Sequence, residues 1–473
     1  MFLGTTEVFD EGYEVIGDSV RTIVDIIEFF YDIIFIEELN QIYVWFGGVY
    51  KLKTDEWVNS MITGICRQRE EDKANDTIPF QNNYKYTASL KRNVISMIRG
   101  DCLISQARFR IYHNLINCKN GVFNVDTLKF VPHPLKNKYK EKGYYPFIQL
   151  PIEYKPKAKC PTVDTFVKQI FQDKWRKIYE VVGSYITTDV GYQMSQWLYG
   201  FGANGKGVFS KLMMALLGKE NTQIMTMREL LKDYSIAELQ NKLLNIVIDI
   251  DMDEITNTGL LKQLTGGDDL NSRKKYVQKQ YPFENTCKLL VACNTLPRNK
   301  DDTYGWWRRL DLYPLTKTFR GRYKDKTLIH KLTTKDELEG LLIMAINGLL
   351  RLKWRGGFIE EDVEIIQERW FLESDPLGKF ILNHCAKEKE ALRMVFVEEF
   401  NSWRKKNNMS KVGERYVSQH LKKKMPTIIF KRKRGLIPAK YIGISLVNGG
   451  KINIDRLFLN EKKEKEHDIL NEF

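Results

Sequence analysis

The 473-residue sequence predicts an α/β protein whose centre is a parallel sheet. Three observations predict this fold. In residues 194–218 a glycine-rich turn stands between an apolar strand and an amphipathic helix. Two more apolar strands follow, and acidic or amide side chains stand at their ends. The C-terminal part instead combines helical patterns with many lysines and arginines, which indicates a separate domain.

The N-terminal part, residues 1–110, predicts a small α/β domain. Residues 1–24 contain only a modest acidic helix candidate. Residues 25–110 then alternate apolar strands such as IYVWFGGVYKL with helical runs such as EWVNSMITGICRQ. Gly47 and Gly48 lie between two aromatic-rich strands and predict a hairpin turn. This N-terminal part contains no Asp-x-Asp cluster of the kind that a polymerising primase needs ahead of the helicase, so we predict no primase activity in this chain.

The glycine-rich turn has the spacing of a phosphate-binding P-loop, G-x-x-x-x-G-K, at Gly200, Gly205 and Lys206. Glycines let successive backbone N–H groups point at a phosphate, the following helix adds its positive N-terminal dipole, and Lys206 adds a cation. Gly207 stands where a P-loop normally has the Ser or Thr that binds Mg²⁺, which leaves the direct protein ligand to this ion open. The predicted ATP-binding residues are Gly200, Gly202, Asn204, Gly205, Lys206 and Gly207.

The second strand of the series, residues 245–250, ends among acids. Its β-branched sequence NIVIDI predicts a buried parallel strand, and the acids Asp249, Asp251, Asp253 and Glu254 lie at or just after its end. Asp249 and Asp251 would share one face of an extended chain. A carboxylate in this place can hold Mg²⁺ and orient an attacking water. We predict Asp249 as the metal ligand, and either acid as the general base.

The third strand, residues 288–294 (KLLVACN), ends in Asn294, which predicts a side chain that reaches the phosphates or the attacking water. Arg308 and Arg309 follow in GWWRRLDLYPL, directly before a further apolar strand. Two arginines just beyond the nucleotide strands are candidates for an arginine finger that acts across a subunit boundary. The alternative is a solvated sheet edge.

Residues 272–285, SRKKYVQKQYPFEN, combine strand propensity on both sides of a polar tip with several cations, and they predict a hairpin. Lys274, Lys275 and Lys279 are candidates for contact with DNA phosphates, and Tyr276 could stack on a base. The alternative is an edge hairpin whose lysines prevent pairing with other strands.

The C-terminal region is strongly basic. Between residues 401 and 441 there are thirteen lysines and arginines against one acid, Glu414. Two helical runs are followed by two strand runs around Gly435, which is the order of a winged helix-turn-helix. The predicted DNA-reading residues of the second helix are Arg415, Gln419 and Lys422. The predicted backbone contacts of the wing are Lys431, Arg432, Lys433 and Arg434.

These motifs together resemble the superfamily 3 helicases, in particular the branch of phage, plasmid and poxvirus primase-helicase NTPases. The resemblance rests on GFGANGKG, LLKQLTGGDDLNSRKKY, LLVACNTLP and the WWRR pair. It extends upstream to NCKNGVFNVDTLKFVPHPL and PIEYKPKAKCPTVDTFVKQIF, and it covers roughly residues 30–445. The stretch 260–294 is its most specific part.

The resemblance implies an AAA+-type ATPase that uses ATP and Mg²⁺, forms a hexameric ring and translocates along DNA, usually 3′-to-5′. In that family Lys206 would bind phosphate, Asp249 would be the Walker B acid, and Asn294 would be sensor 1. Arg308 and Arg309 would include the finger. Sensor 1 would lie between the P-loop and the acid, and the basic hairpin would project into the ring channel.

Composition agrees with a polyanionic partner. The net charge is +14, and no apolar run has the length of a membrane span. The seven cysteines form no C-x-x-C pair, which predicts reduced thiols and no metal site. We expect a location in the cytoplasm of a bacterial or archaeal host, on a mobile genetic element, with no contact to a membrane.

We expect four regions: an N-terminal collar or DNA-admitting domain (1–110), a segment that leads into the core (111–175), the helicase ATPase (176–355) and a winged helix (376–473). The predicted function is ATP-driven unwinding of DNA in replication initiation. Single-stranded DNA would occupy the channel, and origin duplex would bind the C-terminus. A separate primase is a candidate partner. The alternatives are a DNA-packaging or remodelling ATPase and an origin-binding protein that hydrolyses no ATP.

Overall fold

The computed structural model divides the chain into two compact units. The first contains Met1–Ala158, Ile186–Asp189 and Leu216–Asn221, and the second contains the remainder. The structure describes residues 19–74, 87–105, 108–138, 140–200, 202–248, 250, 254–255, 257–272, 281–319, 325–407, 409–425, 429–431 and 440–446. None of the helices in these ranges is long and apolar enough to cross a membrane.

The first unit begins with three helices and a four-stranded sheet. The helices are α1 (Ser19–Phe30), α2 (Asp55–Ala74) and α3 (Ala88–Asp101), and the strands are β1 (Ile33–Ile36), β2 (Gln41–Phe46), β3 (Val49–Lys53) and β4 (Leu103–Ile104). The sheet order is β3-β2-β1-β4. Apolar side chains of the helices pack on one face of this sheet and form the core of the unit. The predicted hairpin at Gly47 and Gly48 is confirmed, since β2 and β3 pair antiparallel and both glycines have positive φ.

A second, three-stranded sheet completes the first unit. Its strands are β5 (Leu115–Cys118), β6 (Gly121–Asn124) and β7 (Lys129–Pro132), which follow one another as an antiparallel meander. Asn117 is buried, and its Nδ2 donates to the backbone oxygens of Gly48 (2.9 Å) and Ile148 (2.8 Å). This amide therefore ties the meander to the β2–β3 turn.

The second unit is built on a five-stranded sheet. Its strands are β8 (Ser195–Tyr199), β9 (Thr222–Ile224), β10 (Leu244–Ile248), β14 (Lys288–Cys293) and β16 (Leu310–Pro314). The order is β16-β8-β14-β10-β9, and every neighbouring pair is parallel. All residues of β8 and β14 are buried, as apolar strands covered on both faces must be. The predicted parallel sheet is confirmed.

Helices and short strand pairs surround this sheet. The helices are α4 (Pro161–Phe171), α5 (Trp175–Tyr185), α6 (Lys206–Leu217), α7 (Met227–Leu230), α8 (Thr258–Gly266), α9 (Tyr304–Trp307), α10 (Leu328–Leu332), α11 (Lys335–Arg355) and α12 (Val363–Ser374). The short strands are β11 (Glu254–Ile255), β12 (Leu270–Ser272), β13 (Tyr281–Phe283) and β15 (Arg298–Asn299). Trp197, Trp306, Trp307 and Trp370 pack edge-to-face in the core, which joins β8 to α9 and α12.

The C-terminal part of the second unit has helices and a three-stranded antiparallel sheet. Its elements in chain order are α13 (Pro376–His384), β17 (Cys385–Leu392), α14 (Arg393–Lys406), α15 (Glu414–Lys424), β18 (Ile429–Lys431) and β19 (Lys440–Leu446). The sheet order is β17-β19-β18. The sequence predicts only the two strands after α15. It misses β17 because that segment, CAKEKEAL, has little strand propensity, and its pairing with β19 is what makes it a strand.

Candidate nucleotide and DNA sites

The glycine-rich turn between β8 and α6 depends on glycine at two points. Gly200 has φ +136° and Gly205 has φ +93°, conformations that side chains disfavour. A Cβ atom at Gly200 would lie 2.5 Å from the carbonyl oxygen of Leu315, and one at Gly205 would lie 3.0 Å from Ile170 Cγ2. The backbone of the turn is therefore closely packed between its neighbours, and Lys206 opens α6 directly after it.

Lys206 joins this turn to Asn294. Its ammonium donates to the backbone oxygen of Gly200, to Asn204 Oδ1 at 3.1 Å and to Asn294 Oδ1 at 3.4 Å. The residue is only 8% exposed. The two partners meet because β8 and β14 pair in parallel, with Tyr199 opposite Cys293, so that their carboxyl ends lie side by side. A buried ammonium held by neutral oxygens is well suited to bind an anion.

Residues 315–319, which follow β16, form hydrogen bonds with the glycine-rich turn and with the end of β8. Asn204 Nδ2 donates to Leu315 O at 3.1 Å, and the Phe319 amide donates to Ala203 O at 2.7 Å. The Leu315 amide in turn donates to Tyr199 O at 2.8 Å. Sequence reasoning missed this segment because its contacts run mainly through the backbone. No residue type marks such contacts in a sequence.

Gly207 differs from the other glycines of the turn. A Cβ atom there would meet no heavy atom within 4 Å, and its φ is not positive. Packing therefore does not require glycine at this position, and a hydroxyl side chain would fit.

The acids after β10 fall largely outside the described part of the chain. Asp249, Asp251 and Asp253 lie outside it, and the description of β10 ends at Ile248, opposite Ala292 of β14. Within the described ranges no three His, Cys, Asp or Glu side chains are grouped so that they could hold a metal ion. The roles of Asp249 and Asp251 stay predictions.

Arg308 and Arg309 follow α9 and contact a residue that sequence reasoning missed. Arg308 Nη2 donates to Gln193 Oε1 at 2.6 Å, and Arg309 Nη2 donates to the same oxygen at 3.4 Å. Arg309 Nη1 also donates to the Gly305 carbonyl. Burial and the neighbouring charge of Arg308 lower the pKa of Arg309. Among the described residues, the Arg309 side chain therefore has one hydrogen bond more than the Arg308 side chain.

The arms of the predicted basic hairpin are present. β12 and β13 pair antiparallel, with Leu270 opposite Phe283, and both of these side chains are buried. The candidate contact residues Lys274, Lys275, Tyr276 and Lys279 lie outside the described ranges. Their contact with DNA stays a prediction.

On α15 the predicted DNA-reading residues are exposed, while Val417 and Leu421 on the other face are buried in the core of this region. The exposed residues are Arg415, Gln419 and Lys422. Lys431 ends β18, and the structure describes its backbone only. Arg432, Lys433 and Arg434 lie outside the described residues.

A buried carboxyl group links α12 to the C-terminal helices. Burial raises the pKa of Glu373 to about 7, although Arg404 and Arg369 act in the opposite direction. Arg404 is fully buried, and its Nε donates to Ser410 O at 2.7 Å. Glu373 therefore changes its charge near neutral pH.

We expect Glu373 to make stability depend on pH. Because its folded-state pKa lies above the ordinary 4.5, the fold keeps a proton that the unfolded chain releases, and stability falls as pH rises from about 4.5 to about 7. The full effect is about 3 kcal/mol at most. Glu373→Gln should therefore flatten the change in melting temperature between about pH 5 and about pH 8. Glu368→Gln, an exposed change on the same helix, should leave it as in the wild type. An equal pH dependence in the Glu373 variant would contradict this assignment.

The fold and site thus define an α/β protein with a phosphate-loop-like turn at the carboxyl edge of a parallel sheet. Residues 26–172 match the profile of the family described as "D5 N terminal like", and residues 198–309 match a family of unknown function, DUF5906. Solved structures of the C-terminal region of NrS-1 align with 89–91% of this chain and 98–100% of their own, at 12% identity and TM-score 0.45. At that level the likeness carries no information on function.

Three viral proteins are similar in sequence. "Putative helicase L207/L206" of Acanthamoeba polyphaga mimivirus is 27% identical over 215 residues, which is 43% of this chain and 22% of that protein. "Putative helicase 022R" of Frog virus 3 is 32% identical over 130 residues (25% and 13%), and "Putative helicase 121R" of Invertebrate iridescent virus 3 is 27% identical over 256 residues (48% and 26%). The chain thus spans about a quarter or less of their length. The chain is thus similar in part of its sequence to viral proteins that are named as putative helicases. These viral relatives give no support to the expected bacterial or archaeal host.

Proposed function

We propose that this protein is an ATP-dependent DNA helicase of the superfamily 3 type that acts in replication initiation. The observation that carries the proposal is the contact of Lys206 with both the glycine turn and Asn294. A cation and a side-chain amide thus meet at the glycine turn, and the backbone N–H groups of turns of this kind commonly bind phosphate.

The order of the strands supports this proposal. β14, whose last residue Cys293 directly precedes Asn294, lies between the P-loop strand β8 and the acid strand β10. This is the place that the resemblance to ring ATPases implies for a sensor side chain. In the proposed reaction Lys206 neutralises charge on the outer phosphates, and Asn294 orients the attacking water or the γ-phosphate. Asp249 would hold Mg²⁺, which would neutralise charge on the phosphates.

The DNA contacts proposed for this motor are of two kinds. The basic hairpin after β12 would grip a single strand in the channel of a hexameric ring. The exposed polar face of α15 would read the origin duplex, and the net charge of +14 favours both contacts. A separate primase would complete initiation. A packaging or remodelling ATPase, and an origin-binding protein without hydrolysis, remain the competing functions.

One set of assays separates these functions. ATP hydrolysis is measured with and without single-stranded DNA, and strand separation is measured on a forked duplex. A helicase hydrolyses ATP faster with DNA and separates the fork. A packaging or remodelling ATPase hydrolyses ATP but leaves the fork intact, and an origin-binding factor does neither.

We expect Gly207→Ser to reduce the Mg²⁺ concentration that half-maximal ATPase activity requires. The position is open, so the hydroxyl fits and can provide the ligand that a P-loop commonly has there. The change should also stabilise α6 slightly, by about 0.5 kcal/mol. Gly207→Ala is the matched control, because it fills the same space without a ligand. A Mg²⁺ titration that is identical for the two variants would place Gly207 away from the metal.

A further inference from the structure

Gln193 lies between the arginine pair and the end of α8. Its Oε1 accepts hydrogen bonds from Arg308 (2.6 Å) and from Arg309 (3.4 Å). Its Nε2 donates to the carbonyl oxygen of Gly266, the last residue of α8, at 3.2 Å. One side-chain amide therefore touches two elements that are about 40 residues apart in sequence (266 to 308).

A side-chain amide suits the chemistry of both contacts. Toward the arginines the side chain must accept, and toward the Gly266 carbonyl it must donate. A carboxylate only accepts and an ammonium only donates, whereas Gln and Asn do both. The backbone of Gln193 is also unusual, because its φ of +51° lies in the left-handed region that residues with a side chain rarely adopt. The backbone N–H of Gln193 donates to Val190 O at 3.0 Å, and this hydrogen bond stabilises the turn just before β8.

The end of α8 is in turn connected to both arms of the basic hairpin. β12 begins at Leu270, only a short link after Gly266. On the other arm, the chain reaches Asn285 soon after β13, and the fully buried Asn285 donates from Nδ2 to Leu264 O of α8 at 2.7 Å. A displacement of the carboxyl end of α8 would therefore move the base of the hairpin.

We propose that Gln193 is a positioning residue that couples the arginine pair to the basic hairpin. When Arg308 moves toward a phosphate, the shared amide transmits the movement to Gly266 and so to the hairpin that holds DNA. In the reverse direction, DNA on the hairpin sets the position of the arginines. This inference rests on the proposed function, since it needs an ATPase that responds to DNA.

Two substitutions of Gln193 separate its two contacts. Gln193→Glu keeps an acceptor for the arginines and loses the donor to Gly266, which then faces a carboxylate. We expect the ratio of DNA-stimulated to basal ATPase rate to fall about tenfold, as for the loss of a hydrogen bond next to charged groups. Gln193→Met has a similar length and loses both contacts, so it should also lower basal kcat about tenfold, with the KM for ATP unchanged.

The control is Gln263→Met on α8, which loses a similar side-chain contact, Nε2 to Asp269 O at 3.3 Å, but touches neither arginine. The Gln263→Met variant should keep the wild-type ratio of DNA-stimulated to basal ATPase rate. Thermal melting of each variant identifies loss of folding, and the isosteric Glu variant decides the question if the Met variant unfolds. If the wild type shows no ATPase activity that depends on Lys206 and rises with DNA, the proposed function fails. If the wild type shows this DNA-stimulated activity and both Gln193 variants keep the wild-type ratio of DNA-stimulated to basal ATPase rate, the proposed coupling is wrong.

Discussion

Lys206→Ala should lower ATP turnover by about a hundredfold or more, which is the usual cost of removing one group that stabilises charge in the transition state. Lys206 is the cation that the structure places at the glycine turn, where its ammonium contacts Gly200, Asn204 and Asn294. Without it, the outer phosphates would lose their cation and the turn would lose its contact with β14. Steady-state ATP hydrolysis, with binding of a fluorescent ATP analogue measured in parallel, tests this expectation.

Lys211→Ala is the matched control for this change. Lys211 lies on the same helix, α6, and is exposed, so its loss should leave hydrolysis near the wild-type rate. If Lys206→Ala keeps more than about a tenth of the wild-type activity, Lys206 does not serve the phosphates and the P-loop assignment is wrong.

Arg308→Ala should lower kcat by about a thousandfold, which is the lower end of the range for an arginine finger, and leave ATP binding near normal. Within the described part of the chain, the Arg308 side chain has one hydrogen bond, to Gln193, whereas the Arg309 side chain also donates to the Gly305 carbonyl. We therefore expect Arg308 to be the finger and Arg309 to have a supporting role. Arg309→Ala should lower the melting temperature more than Arg308→Ala does, because Arg309 also donates a hydrogen bond to the Gly305 carbonyl.

Mixing the Arg308→Ala and Lys206→Ala proteins tests whether the arginine acts across a subunit boundary. In a mixed ring, some sites combine an intact Lys206 with an intact Arg308 from the neighbour, so part of the activity should return. Mass spectrometry first establishes that both variants are present in the same rings. No gain of activity in such rings would show that Arg308 acts within its own subunit.

The strands of the central sheet could be predicted because most of their residues are buried, and burial on both faces of a sheet favours runs of apolar side chains. The runs at β8, β10 and β14 show this directly. Their neighbours in the sheet could not be predicted in the same way. That β14 lies between β8 and β10 depends on how helices cross over the sheet, and local pattern does not record the crossover.

The residues of the candidate site likewise divide into those that the sequence predicts and those that it does not. Gly200, Gly205 and Lys206 are visible in the sequence because they are close together and because phosphate binding needs these residue types. Three other features could not be predicted from the sequence, because each depends on a residue distant in sequence or on backbone atoms. They are the contacts of Gln193, the Leu315 carbonyl and the pairing of β17 with β19.

The sequence by itself therefore determined the glycine turn, the buried strands, the polar residues at their ends and the basic character of the C-terminal region. These features depend on side-chain chemistry and on local periodicity, which a single chain shows without a fold. Only the tertiary structure decided that Lys206 meets Asn294 and that one amide at Gln193 holds both arginines and α8. The physical reason is that a hydrogen bond depends on distance in space, and the parallel pairing of strands far apart in sequence sets that distance.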